Sequence, residues 1–178
     1  MTSPELPLAE LIASRLREVP DFPKPGVVFK DITLLLADGA AFGRVTAALA
    51  EHAGELGVEL VAGVEARGFI MAAALADRLG CGLVPVRKAG KLPPPTVHAS
   101  YDLEYGSGEI EVPVGVLDGH RILLVDDVLA TGGTLAAAAD LIEEAGGEIV
   151  GLAVLLELGF LNGRDRLGTR ALTALLRI

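Results

Sequence analysis

Four short runs of this chain are apolar almost without interruption: residues 60–64, 83–86, 121–125 and 149–156. A strand with one wet face alternates apolar and polar residues. A run that does not alternate has both faces covered, which is the habit of parallel strands. Between these runs lie segments with helical spacing. Residues 68–79 end at Gly80. Residues 133–145 carry Leu135, Ala138, Ile142 and Ala145 on one face, with Gly146-Gly147 beyond. Parallel strands need crossovers, and helices of this length supply them. The alternation therefore predicts an α/β fold: an open, mostly parallel sheet flanked by helices. At 178 residues the chain is sized for a single domain, 1–178, and 51% apolar residues suffice for a core.

Upstream, Ser3-Pro4 is a good helix start, and Leu8, Leu11, Ile12, Leu16 and Val19 follow at helical spacing until Pro20. Residues 20–26 hold Pro20, Pro23 and Pro25, which predicts a stiff loop. Val27-Val28-Phe29 is a short extended run, with Phe29 read as core. Asp38 is placed to cap a helix carrying Phe42, Val45, Leu49, Ala53 and Leu56, with Gly57 as its stop. Residues 87–118 break the alternation. They hold Pro93-Pro94-Pro95 and then two extended runs, so a long excursion with a two-stranded ribbon is expected, of the kind that serves as a lid (about 88–113). The segments 1–37 and 158–178 are expected to form a small hood over the sheet's edge.

Charge narrows the partners. Fifteen Lys and Arg against 24 Asp and Glu give a net charge of -9. That argues against nucleic acid and anionic membranes, while a local site can still oppose the global sign. No uncharged apolar run nears the roughly 18–20 residues of a membrane span, and acids early in the chain do not fit a signal peptide. The single cysteine, Cys81, agrees with a reducing compartment, so a cytoplasmic location is expected, and it reads as a small buried hydrophobe. His52, His98 and His120 are too scattered for a metal motif, and Glu143-Glu144 reads as a solvated helix face.

The most informative segment runs from Ile122 to Thr134: Ile-Leu-Leu-Val-Asp-Asp-Val-Leu-Ala-Thr-Gly-Gly-Thr, then an alanine-rich helix. A buried strand delivers Asp126 and Asp127 to its C-terminal end, where ligands of open α/β sheets bind. Ala130, Thr131, Gly132, Gly133 and Thr134 then lead into a helix N-terminus. Free backbone N–H groups there make an anion site, and glycines let a phosphate approach the backbone. Carboxylates are natural acceptors for sugar hydroxyls. The unit would hold a phosphate and a polyol about one sugar apart, as in a ribose 5-phosphate.

This segment resembles the 5-phosphoribosyl 1-diphosphate (PRPP) motif of the type I phosphoribosyltransferases. Four further blocks resemble the adenine phosphoribosyltransferases among them: Asp21 to Thr33 (DFPKPGVVFKDIT), Glu65-Ala66-Arg67-Gly68-Phe69, Arg87-Lys88-Ala89-Gly90-Lys91-Leu92-Pro93, and Tyr101-Asp102-Leu103-Glu104-Tyr105-Gly106. With the PRPP motif they cover most of the chain from 21 to about 165. The resemblance implies the type I phosphoribosyltransferase fold and the purine-salvage reaction adenine plus PRPP to AMP plus pyrophosphate. It implies that Glu104, in the lid, is the acid/base at the purine imidazole and that Tyr105 helps close the lid. Asp126, Asp127 and Ala130 to Thr134 would hold the ribose phosphate. Arg67, Arg87, Lys88 and Lys91 would surround pyrophosphate, and the 66–67 bond would be cis. The backbone of Val28, with Lys30 and Leu158, would hold adenine. Mg2+ would be carried mainly by PRPP oxygens and water, so no protein ligand for it is named. A homodimer is implied. Two positions depart from the family pattern: Ala66, where Ser is frequent, and Pro94, where Gly is frequent. A PRPP-binding regulator without catalysis, and a phosphoribosyltransferase for another purine base, remain as alternatives at this point.

Overall fold

The computed structural model describes residues 6–103 and 106–178. Its elements in chain order are α1 (Leu8–Ser14), β1 (Arg17–Pro20), β2 (Val28–Asp31), α2 (Thr33–Ala37), α3 (Gly39–Gly54), β3 (Leu60–Val64), α4 (Arg67–Leu79), β4 (Gly82–Lys88), β5 (Thr96–Leu103), β6 (Gly106–Pro113), β7 (Arg121–Leu129), α5 (Gly133–Glu144), β8 (Glu148–Glu157) and β9 (Leu172–Arg177). Two 3₁₀ turns, Gly159–Leu161 and Gly163–Arg166, lie between β8 and β9.

Seven strands form one sheet in the order β5-β6-β4-β3-β7-β8-β9. The five from β4 to β9 are parallel, and β6 and β5 extend them antiparallel. Strand β7 shows why an unbroken apolar run is needed at the centre. Its successive side chains point to opposite faces. Ile122 and Leu124 pack with Leu135, Ala138, Leu141 and Ile142 of α5 on one face. Leu123 and Val125 pack with Val45 and Leu49 of α3 and Met71 and Leu75 of α4 on the other. All four β7 residues are fully buried. The result is three layers, with the C-terminal ends of β3 and β7 opening toward the loops before α4 and α5.

Two helix ends behave as the sequence predicts, whereas α3 stops at Gly54, short of the expected Gly57. Asp38 accepts from the Ala41 N–H at 3.1 Å and starts α3. Gly80 ends α4 with φ 67°. Four other places differ. The first helix stops at Ser14, and residues 17–20 form a strand paired with β2. Tertiary pairing overrides the helical spacing of Leu16 and Val19, and Arg17 fixes the register by donating two N–H bonds to Asp31, at 3.1 and 2.6 Å. The Ser3-Pro4 start lies outside the described residues. Strand β7 continues through Leu129, so both aspartates sit within it. Residues 172–177, expected in the hood, join the main sheet beside β8. The ribbon at 96–113 is tied to that sheet through Arg87↔Glu111 and Lys88↔Ile110. Some side chains expected at the surface bind across elements. His52 shares a 2.7 Å hydrogen bond with Thr173, joining α3 to β9, and Glu143 accepts from Arg170 at 2.6 and 3.1 Å. No described helix is long and apolar enough to cross a membrane.

Candidate active site

The site forms where β7 ends and α5 begins. Asp127 is buried and Asp126 is half-buried. Asp126 accepts from the Asp127 N–H at 2.8 Å. Burial, and after it the neighbouring Asp127 carboxylate, pushes Asp126 well above the usual carboxylate range. Burial also raises Asp127, against the opposing pull of Arg67. The Arg67 Nε lies 2.8 Å from Asp127 Oδ2, yet among the described residues that oxygen has no aligned hydrogen-bond donor. A buried acceptor left in this state is costly and is ready for a hydroxyl.

Close approach of α4 to β7 depends on Gly68. A Cβ there would sit 2.9 Å from Asp126 Oδ1 and 3.0 Å from the Val125 carbonyl. Gly68 lets the first turn of α4, with Arg67, reach the aspartates.

Beyond Asp127 the chain turns through Ala130 to Gly132, which has φ 83°, and starts α5 with no side-chain cap. The first N–H groups of a helix have no intrahelical partner, and among the described residues no side chain takes them here. A cavity of about 380 Å³ lies over this turn, lined by Asp126, Val128 to Leu135, and Pro23, Lys24 and Val27. The last three come from the loop between β1 and β2. That loop is pinned by Asp21, whose carboxylate accepts from the Gly26 N–H at 2.7 Å, and by Phe22 N–H to the Val27 carbonyl at 3.2 Å. Apolar walls, the uncapped N-terminus of α5 and the Asp126 carboxylate, with Asp127 buried beside it, suit a phosphorylated sugar with a flat partner.

Known proteins were compared with this chain. Residues 34–168 match the phosphoribosyl transferase domain. The chain is 60% identical over 172 residues to the adenine phosphoribosyltransferase of Frankia casuarinae, covering 96% of this chain and 92% of that protein. It is 62% identical over 161 residues to the Streptomyces coelicolor adenine phosphoribosyltransferase, covering 90% and 88%. The crystal structure of adenine phosphoribosyltransferase from Thermoanaerobacter pseudethanolicus superposes with a TM-score of 0.92 at 46% identity, over 96% of this chain and 99% of that one. The Giardia lamblia enzyme complexed with 9-deazaadenine gives 0.92 at 37% identity, over 98% and 99%.

The chain belongs to the adenine phosphoribosyltransferase family.

Against that family pattern, Asp126, Asp127, Ala130 to Thr134 and Arg67 come together at one end of the sheet. Arg67 donates to the Lys30 carbonyl at 3.3 Å and stacks over Phe29, 4.7 Å from the ring centroid. Phe29, expected in the core, meets Phe22 edge-on at 5.2 Å, so it belongs to the β1–β2 pair and its loop and not to either core cluster. Arg87 donates to Glu65 at 2.9 Å, and Glu65 also accepts from the Lys88 N–H at 2.9 Å. That backbone bond first, and then Arg87, hold the Glu65 carboxyl below its usual range. Lys88 and Lys91 have exposed side chains on the same turn. The Lys91 and Leu92 N–H groups donate to buried Glu111 at 2.6 and 2.7 Å, and these bonds outweigh burial to lower its pKa. Among the described residues the non-proline cis bond is Glu65–Ala66, one residue earlier than expected.

Val28 is exposed on the β1–β2 pair, and the Lys30 ammonium pairs with Glu18 across it. Leu158 hydrogen-bonds from its N–H to the Leu129 carbonyl at 2.9 Å, beside the end of β7. Glu104 and Tyr105 lie outside the described residues. Sequence reasoning assigned no role to Glu65, Glu111, Lys24 or Gly163. Only Gly163 carried a local signal, the Asn162-Gly163 turn dipeptide.

Proposed function

We propose that this chain transfers the 5-phosphoribosyl group of PRPP to adenine, giving AMP and pyrophosphate in purine salvage. The observation that carries the reading is the pairing of the Asp126 carboxylate, beside buried Asp127, with an uncapped helix N-terminus across one cavity. The names of the relatives are those of enzymes, so a PRPP-binding regulator is not favoured.

In this reading the N–H groups of residues 131–134 and the Thr131 and Thr134 hydroxyls take the 5-phosphate. Asp126 and Asp127 accept from the ribose hydroxyls. This suits a pair whose pKa values are raised by burial and, for Asp126, next by the Asp127 charge, both of which a bound sugar's hydroxyls would offset. Arg67, Arg87, Lys88 and Lys91 take the pyrophosphate. Arginine offers a planar fork and lysine a movable point charge. Adenine lies against the backbone of Val28, with Lys30 and Leu158 beside it. A backbone N–H and C=O that pair with adenine's ring nitrogen and amine leave a group unpaired against an oxopurine, which selects strongly.

The reaction breaks the bond from C1′ to the pyrophosphate oxygen and forms one to the purine nitrogen, which must give up its proton. Glu104 takes that proton, and exclusion of water by the ribbon, with Tyr105, raises its basicity toward the working range. Among the described residues no three acidic, histidine or cysteine side chains gather as a metal cage. Two adjacent carboxylates fit an ion that arrives on substrate oxygens and keeps its waters. Bound Mg2+ would neutralise charge on the pyrophosphate. A homodimer in the cytoplasm completes the proposal. Its test is Glu104→Gln: turnover should fall by at least 100-fold while PRPP still binds within a few-fold of wild type. Unchanged turnover would remove Glu104 from the chemistry.

A further inference from the structure

The turn that receives the phosphate does not stand alone. Its back rests on Gly163, in the second 3₁₀ turn. A Cβ on Gly163 would collide with the Ala130 carbonyl and lie 3.1 Å from the Gly132 nitrogen and 3.0 Å from Leu129 Cγ. Reciprocally, a Cβ on Gly132 would collide with the Gly163 carbonyl and lie 3.0 and 3.2 Å from its C and Cα. Two glycine backbones are therefore in face contact, with no side chain between them. Residue 163 is buried, and the next anchor, Leu167, is 1% exposed in the core that also holds Leu129 and Leu135.

What holds Gly163 in place is an ion pair. Glu157, 3% exposed at the end of β8, accepts from Arg164 Nε at 2.8 Å and Nη2 at 2.7 Å. Arg164 also donates from Nη1 to the Leu172 carbonyl at 3.2 Å. This two-pronged geometry fixes the residue next to Gly163 in both position and rotation. The path runs from the sheet through Glu157 and Arg164 to Gly163, and from there by backbone contact to residues 130–132.

We propose that Gly163, held by the Glu157–Arg164 pair, is a positioning residue for the 5-phosphate of the substrate: it sets where the N–H groups of residues 131–134 point. The inference rests on the reading of that turn as the phosphate site. A helix-terminus anion site gains its strength from donors already aimed before the ligand arrives, so a displaced turn loses affinity without losing any contact group. The effect is confined to the phosphate end, because the clamps that hold Arg87, Lys88 and Lys91 lie elsewhere, Glu65 in the turn after β3 and Glu111 in β6.

The test titrates ribose 5-phosphate into the full chain by calorimetry and measures steady-state KM for PRPP and for adenine. Gly163→Ala should weaken ribose 5-phosphate at least 10-fold and raise KM for PRPP in step, with KM for adenine within twofold. Arg164→Ala should shift the same constants 3-fold or more, and Arg164→Lys should lie between it and wild type. A folded Gly163→Ala that binds ribose 5-phosphate as wild type overturns the proposal. If Gly163→Ala does not fold, an Arg164→Ala protein with unchanged affinity overturns it equally. A purely structural role would lower the melting temperature and leave these constants alone. Failure of the wild type itself to bind ribose 5-phosphate would instead sink the phosphate-site reading beneath it.

Discussion

Replacing Gly132 by Ala tests the geometry of the phosphate turn in two separable parts. The residue has φ 83°, and a left-handed conformation costs an L-residue about 1–2 kcal/mol. The new methyl would also meet the Gly163 backbone, which cannot swing aside as a flexible side chain does. Overpacking of this kind costs about 1–3 kcal/mol. Together they give about 2–5 kcal/mol, a large share of the roughly 5–15 kcal/mol that holds a domain folded. For a chain of this length each kcal/mol moves Tm by about 2–4 °C, so a loss on the order of 10 °C is expected by calorimetry. Gly26→Ala is the matched control. Its φ is 84°, yet nothing lies within 4 Å of the added methyl, so only the first part, about 1–2 kcal/mol, is due. The reasoning fails if the two variants melt together, or if Gly132→Ala melts with wild type.

Two further substitutions separate stability from function. Asp126 holds its proton to a higher pH when folded than when unfolded, so native protein binds more protons between the two values and stability falls as pH rises through that window. Asp126→Asn removes this loss: in urea titrations it should match wild type near about pH 4 and become the more stable of the two toward neutral pH, while losing affinity for PRPP; a gap that is constant with pH would contradict the assignment. Gly43→Ala, inside α3 with open space around the methyl, should raise stability by about 0.5–1 kcal/mol and leave turnover unchanged, as thermal melts and AMP formation would show.

The central sheet was legible because residues 60–64, 122–125 and 149–156 of β3, β7 and β8 lie between two layers of helices and so are apolar throughout. The PRPP turn was legible because glycines, threonines and paired aspartates each have a reason to be there. The end of β7 was not, since Asp126 and Asp127 look like loop residues until a partner strand is known; they pair with β8 across Asp126↔Val154 and onward. Strand β1 was misread as helix because Leu16 and Val19 continue a helical spacing, and only β2, eight residues beyond, reveals the alternative. Glu111 looked like one more acid on a ribbon. Its burial follows from β6 docking on β4, which brings the N–H groups of residues 91 and 92 to it. Likewise the role of Glu157 depends on Arg164, and that of Gly163 on Gly132, contacts between segments that no local pattern announces.

The net charge of -9 also acquires a meaning at the site. Arg67 and Arg87 are each held against a carboxylate, Asp127 and Glu65, so the local field is arranged by pairs and by backbone dipoles, not by an excess of base. The most direct measurement of the whole account is a turnover assay with PRPP, Mg2+ and, in separate reactions, adenine, guanine, hypoxanthine and xanthine, with nucleotide and pyrophosphate quantified together. AMP and pyrophosphate in equal amounts from adenine, with the oxopurines at least 100-fold slower, is the predicted result. No AMP from adenine, or a faster reaction with an oxopurine, would contradict it.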